Sequence, residues 1–176
     1  MKKINLLVCT LAVAGLGFTS CSDDDNDAND NVRIEGTYVL DEVNTAKATD
    51  FDMNGVLHID QMEESKCYDG GKVVLNADGT FTYVIKGILV TDGTAGCSET
   101  FTASGLYKAE TAANSKNSLI TLTYTNQKGD QEVRVFTKIG DELIWEDNTI
   151  LSSYPDRDAN GAAILTQGRV QYVFDK

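Results

Sequence analysis

Two stretches of the chain space oxygen-bearing side chains as a hard cation requires. Asp50, Asp52 and Asn54 stand at positions one, three and five ahead of Gly55, with Gln61 at position twelve. Asp156, Asp158 and Asn160 stand the same way ahead of Gly161, with Gln167 at twelve. Oxygens at one, three and five converge on one ion, glycine at six permits the sharp turn, and a backbone carbonyl at seven, from Val56 or Ala162, adds another. This is the first half of a calcium loop. Both stretches depart from the full pattern at twelve, where glutamine replaces the bidentate glutamate, so the expectation is weak binding or none, and any calcium held there is structural. Asp60, Glu63 and Glu64 follow the first loop and can replace the missing carboxylate, whereas no acidic residue follows the second until Asp175. The competing reading is that Asp and Asn beside Gly are turn chemistry alone.

Constellations for catalysis are sparse. His58 is the only histidine, so the common zinc sites lack a second imidazole and a serine triad would have to recruit this one residue. No Gly-X-Ser-X-Gly elbow, phosphate-binding glycine loop or basic aromatic patch occurs. A glycosidase needs only two carboxylates at the right separation, and 27 Asp plus Glu leave that option open without singling out a pair. The expectation is a non-enzymatic protein, with a carboxylate-dependent hydrolase acting at the mouth of the fold as the alternative.

The elements that position these residues read as strands. From Ile34 onward, short alternating runs are punctuated by turn residues, with no sustained helical spacing. Eight strands are expected: Gly36 to Val43, Lys72 to Asn76, Thr80 to Lys86, Glu99 to Tyr107, Leu119 to Thr125, Glu132 to Ile139, Glu142 to Glu146 and Arg169 to Phe174. Phe81, Tyr83 and Ile85 share one face, as do Ile120, Leu122 and Tyr124, and Val170, Tyr172 and Phe174. Asn76-Ala77-Asp78-Gly79, Asn126-Gln127-Lys128-Gly129 and Gly140-Asp141 are turn chemistry, so consecutive strands pair as hairpins. Eight such strands suit an all-β, antiparallel up-and-down barrel, which leaves no open edge; a two-sheet sandwich is the competing architecture. Pro155, the only proline, is expected in the long link between the last two strands, where it interrupts no ladder.

The first thirty-one residues have another purpose. Lys2 and Lys3, the apolar stretch Ile4 to Phe18, and the small residues Thr19 and Ser20 make the three-part plan of a secretory signal, residues 1–20. The apolar stretch is shorter than the roughly 20 residues a spanning helix needs. Phe18-Thr19-Ser20-Cys21 resembles a lipobox, which implies cleavage before Cys21 and acylation of its thiol. Residues 21–31, rich in aspartate and without an apolar residue larger than alanine after Cys21, form a solvated tether. The folded domain is expected over residues 32–176.

The formal charge of the chain is -12; loss of Lys2 and Lys3 takes it to -14, and the five tether aspartates carry -5 of that, leaving -9 on residues 32–176. Such a body should repel nucleic acid and anionic headgroups. Cys67 and Cys97 remain after lipidation of Cys21 and loss of Cys9. In an oxidising compartment they are expected to pair, since each precedes a strand starting at the same barrel end.

Gly36-Thr37-Tyr38, Asp50 to Gly55, Cys67, Leu75 to Phe81 and Cys97, in that order, resemble the lipocalin-like lipoprotein domains common in Bacteroidota. Tyr38 stands where lipocalins carry tryptophan. The acidic tether is similar to the export signal that follows the lipidated cysteine in their surface lipoproteins. The resemblance implies an eight-stranded barrel held to the outer membrane by its lipid and facing the cell surface; a tether that is only a solvated spacer facing the periplasm is the competing reading. The resemblance also implies a binding or accessory role toward a small apolar ligand or a surface protein. It assigns no ligand-binding residues, because one scaffold hosts many functions.

Overall fold

The computed structural model describes residues 33–176 apart from positions 112, 114, 127 and 148. Residues 32–176 form one compact unit. The signal segment, Cys21 and the acidic tether lie outside the described residues.

The strands are β1 (Gly36–Thr49), β2 (His58–Asp60), β3 (Lys72–Leu75), β4 (Thr80–Ile85), β5 (Ile88–Thr91), β6 (Thr94–Cys97), β7 (Phe101–Thr111), β8 (Ser118–Thr125), β9 (Gln131–Ile139), β10 (Glu142–Asp147), β11 (Ser153–Arg157), β12 (Ala163–Gln167) and β13 (Val170–Asp175). Eight of them, β1, β3, β4, β7, β8, β9, β10 and β13, pair antiparallel in that order, and β13 returns to β1 to close the barrel. These are the eight strands expected from alternation, with β1 and β7 running several residues further. β2 adds to the outer half of β1, and β5–β6 and β11–β12 are separate two-stranded hairpins.

Closure depends on a bulge. β1 pairs with β3 from Gly36 to Val39 and with β13 from Val39 to Thr45, and its register slips between Leu40 and Glu42. The extra residue shifts the inward set from Tyr38 and Leu40 to Val43 and Thr45, all buried. Without the slip, Glu42 would point into the core and Val43 into solvent.

The barrel interior is packed. Tyr83 is fully buried and meets Phe101, Phe136 and Phe174 edge-on with centroids 6.1, 6.0 and 6.2 Å away. Such aromatic pairs add about 0.5–1.5 kcal/mol each beyond the area they bury. Leu75, Phe81, Ile120, Leu122 and Leu143 complete the fill. Gly105 of β7 sits where a Cβ would lie 2.2 Å from the Thr123 carbonyl, so only glycine lets β7 approach β8 at that point.

The two barrel ends differ. At one end β3 and β4, and β9 and β10, are joined by the tight turns at 76–79 and 140–141. Tyr38 closes the interior there: its hydroxyl donates to the Ile34 carbonyl at 2.7 Å, with the Lys138 and Lys176 ammonium groups 5.9 and 5.5 Å from its ring. Lys138 is buried and donates to the Gly140 carbonyl; burial, with Lys176 nearby, pulls its pKa down. At the opposite end lie all three long connections, 50–71, 86–100 and 148–169. Cys67 and Cys97 form a disulfide there, Cα atoms 4.9 Å apart, joining the first of these connections to the end of β6. Pro155 corrects one expectation, because it lies within β11 opposite Leu165. Both strands of a two-stranded ribbon are edges, so a missing N–H is tolerated on the outward side.

Candidate functional site

The first acidic loop follows β1 at the elaborated end. Its turn is built by its own side chains: Asp50 Oδ2 accepts from the Gly55 N–H at 3.0 Å, Asp52 Oδ1 from the Asn54 N–H at 3.0 Å, and Asn54 Oδ1 from the Val56 N–H at 2.7 Å. Gly55 takes φ 90° and Met53 φ 61°, the left-handed turn the spacing requires. Glu64 arrives from the turn after β2 and accepts from the Asp52 N–H at 3.1 Å. Asp50, Asp52 and Glu64 thereby present carboxylate oxygens within 4.8 Å of one another, a group able to hold a metal ion.

Among the described residues, three oxygens in and beside this loop are buried and have no hydrogen-bond partner: Asp50 Oδ1, Glu64 Oε1 and Gln61 Oε1. Glu64 is only 4 % exposed and Gln61 0 %. Gln61 Nε2 donates to Thr49 Oγ1 at 2.8 Å, which fixes the amide with its oxygen unmatched. Leaving a buried acceptor unmet costs about 1–3 kcal/mol, more for a charged one. A cation held by the three carboxylates would offset that cost for Asp50 and Glu64, and an all-oxygen donor set is chemistry for a hard ion. Asp60, the alternative donor in the sequence, is committed elsewhere, its Oδ1 accepting from the N–H groups of Val43 and Met62 at 2.9 Å each.

The second acidic loop is the turn of the β11–β12 hairpin. Asp158 Oδ1 accepts from the N–H groups of Asn160 at 2.8 Å and Ala162 at 2.9 Å, which hold its carboxyl below the usual range. Asp156 turns away, accepting from Thr166 Oγ1 at 2.9 Å. Asn160 offers its backbone N–H to the turn, and among the described residues no third carboxylate joins the two aspartates. Here the spacing serves the turn.

His58 lies half-buried in β2, opposite Thr49. Among the described residues no hydrogen bond or ion pair joins it to a nucleophile. No protein-family model, no characterised protein and no solved structure matches this chain.

A cleft of about 260 Å³ opens at the same end of the barrel, between the β5–β6 and β11–β12 hairpins. Its floor is a stack that three neighbouring strands assemble: Arg134 of β9 lies 4.0 Å over the Trp145 ring of β10, and Trp145 stacks on Tyr172 of β13 at 4.7 Å and 22°. Arg134 Nη1 donates to the buried Tyr83 hydroxyl at 2.8 Å, tying the cleft floor to the aromatic core. Burial pushes the Tyr83 pKa up despite the guanidinium, so this hydroxyl stays protonated. Glu99 is the one carboxylate lining the cleft. Sequence spacing gives no sign of this stack, because its members belong to separate strands.

Proposed function

We propose that this chain is a lipid-anchored, non-enzymatic binding module of the lipocalin-like lipoprotein type, displayed at the outer-membrane surface, with a structural calcium in its first acidic loop. One observation carries the binding role: the interior is packed with side chains, while every long connection gathers at one end around a cleft. A small apolar ligand or a surface partner therefore meets this protein at the mouth, not inside the barrel. The anchor and the surface location are supported by Cys21 behind its signal-like segment and by the acidic run after it.

One observation favours a non-catalytic role over a carboxylate-dependent hydrolase. The mouth cleft offers a single acid, Glu99. For calcium, the supporting observation is the trio of unmatched buried oxygens.

The test has two arms. Labelled palmitate should enter the wild-type chain in cells and not its Cys21→Ser variant, and external protease should remove the intact-cell signal. Native mass spectrometry should show a calcium mass that chelator removes, with a loss of thermal stability. Palmitate incorporation independent of Cys21 would overturn the anchor, and a bare mass with added calcium would overturn the metal.

A further inference from the structure

We infer that the mouth cleft binds a small monocarboxylate with a flat or short apolar body, held by the free N–H edge of Arg134. This rests on the reading of the mouth as the binding end and names the ligand class for it.

Arg134 is the unusual residue of an acidic protein. Its neighbours on the inward side of β9 are Glu132, Phe136 and Lys138, so the strand places it facing the barrel axis, level with Leu122 of β8. Among the described residues no carboxylate lies within ion-pair distance of it, although its charge helps hold the Glu132 carboxyl below the usual range. Glu132, two residues away, is occupied by the Tyr124 hydroxyl at 2.9 Å and the Asn126 amide at 2.8 Å. One guanidinium N–H goes to Tyr83, whereas the group has five in a fixed fork.

The stack decides the ligand chemistry. Strand order puts Trp145 between Arg134 and Tyr172, so each ring face is already covered. A sugar ring or second aromatic plane cannot lie on the indole. What remains open is the guanidinium edge, which suits the planar, bidentate geometry of a carboxylate. Packing against the indole keeps the fork oriented before any ligand arrives, which reduces the ordering cost of binding.

The walls set the rest of the molecule. Ile85, Ile88, Phe101, Pro155 and Leu165 line the cleft around that edge. Its volume of about 260 Å³ falls below the usual ~300–1,000 Å³ of drug-sized pockets, so the occupant is small. The overall negative charge is a weak deterrent, because charges beyond about 8 Å are screened at physiological salt. Lys86 lines the same cleft and offsets Glu99.

Trp145 is the only tryptophan in the chain, so its fluorescence reports this site directly. The full-length chain carrying Cys21→Ser, exported and soluble, would be titrated with benzoate, hexanoate, benzamide and inorganic phosphate. Benzoate or hexanoate should give a saturable change, with benzamide and phosphate at least ~10-fold weaker. Arg134→Gln should abolish the response, and Arg134→Lys should weaken it, since a point charge lacks the fork. Should Arg134→Gln fail to fold, Leu165→Glu decides, because it places a charge on an exposed wall that is 55 % accessible; it should abolish binding with an unchanged melting temperature. Equal responses to benzoate and benzamide, a preference for phosphate, or no saturation by either acid up to ~50 mM would overturn the inference. Palmitate labelling and the calcium mass would be untouched by that failure.

Discussion

Arg157 lays its guanidinium 4.4 Å over the ring of Phe51 and donates Nε to that residue's carbonyl at 2.9 Å, across 106 positions of sequence. Its Nη1 also donates to the Gly161 carbonyl at 3.2 Å. One side chain thus ties the first acidic loop to the turn of the β11–β12 hairpin, whose Pro155 and Leu165 wall the mouth cleft.

Arg157→Ala should therefore loosen both loops together. The loss of a stacked cation and two charge-assisted hydrogen bonds to carbonyls predicts a cost of about 1–3 kcal/mol. Urea unfolding should show a lower midpoint with an unchanged slope. Arg157→Lys should recover only part of it, because the ammonium cannot reproduce the planar fork. A midpoint equal to wild type in Arg157→Ala would mean that the loops are held by other contacts.

Glu64→Gln should have opposite effects with and without calcium. In chelator it removes one charge from three carboxylates whose oxygens lie within 4.8 Å of each other, so the melting temperature should rise by about 2–4 °C. With calcium it removes a ligand charge, so affinity should fall by about tenfold or more and most of the calcium-induced stabilisation should vanish. Differential scanning calorimetry across a calcium series separates the two. A melting temperature that falls equally in both conditions would show that Glu64 serves packing alone.

Much of this arrangement is legible in the sequence, for identifiable reasons. The eight barrel strands show because inward alternation and turn glycines coincide, as in Phe81, Tyr83 and Ile85 after Gly79. The hairpins in the long connections are harder to see. Asp92-Gly93 is a two-residue turn signal, and both residues do take positive φ, 50° and 76°. The strand after it, Thr94 to Cys97, is exposed throughout, so no alternation marks it. β9 misleads in another way: Val133, Val135 and Ile139 face solvent, while Arg134 and Lys138 face in. Only the neighbours on β8, β10 and β1 explain that reversal. At the acidic loop, spacing locates Asp50, Asp52 and Asn54, but Glu64 lies beyond position twelve and joins through the turn after β2.

Gly105→Ala tests the tightest point of the barrel wall. An added methyl would sit 2.2 Å from the Thr123 carbonyl and 3.2 Å from Phe81, so β7 and β8 must separate locally. A cost of about 1–3 kcal/mol is expected from such overpacking. Amide exchange should accelerate at Leu106, whose partner across the ladder is Thr123. Gly79→Ala is the useful contrast: open space surrounds it, and its φ of 82° alone should account for any loss. Equal exchange rates in wild type and Gly105→Ala would show that the wall can yield without strain.

All seven tyrosines of the chain have pKa values raised above 10.0, with desolvation by burial as the leading cause in each. Tyr38 is pushed up to about 12 by burial, with Asp141 and Glu35 adding to it. The sign follows from proton counts. Below about pH 10 both states keep the phenolic protons, so the stability these groups contribute is fully present and does not change with pH. As pH rises through 10, the unfolded chain loses protons that the native barrel retains, so stability falls, by up to about 1.4 kcal/mol per pH unit for a deeply buried phenol such as Tyr83 and by less for the half-buried Tyr107. For Tyr38 the loss runs from pH 10.0 to about 12. The buried lysine acts the other way: the depressed pKa of Lys138 means that its desolvation penalty is relieved as pH climbs toward 10.5. One lysine against seven tyrosines leaves the net trend downward above pH 10. Tyrosinate absorbance at 295 nm should accordingly stay low in the native protein past pH 10 and rise steeply together with loss of near-ultraviolet circular dichroism. A smooth titration near pH 10 with the barrel still folded would mean that the phenols at the Tyr38 end and around Tyr83 are open to water.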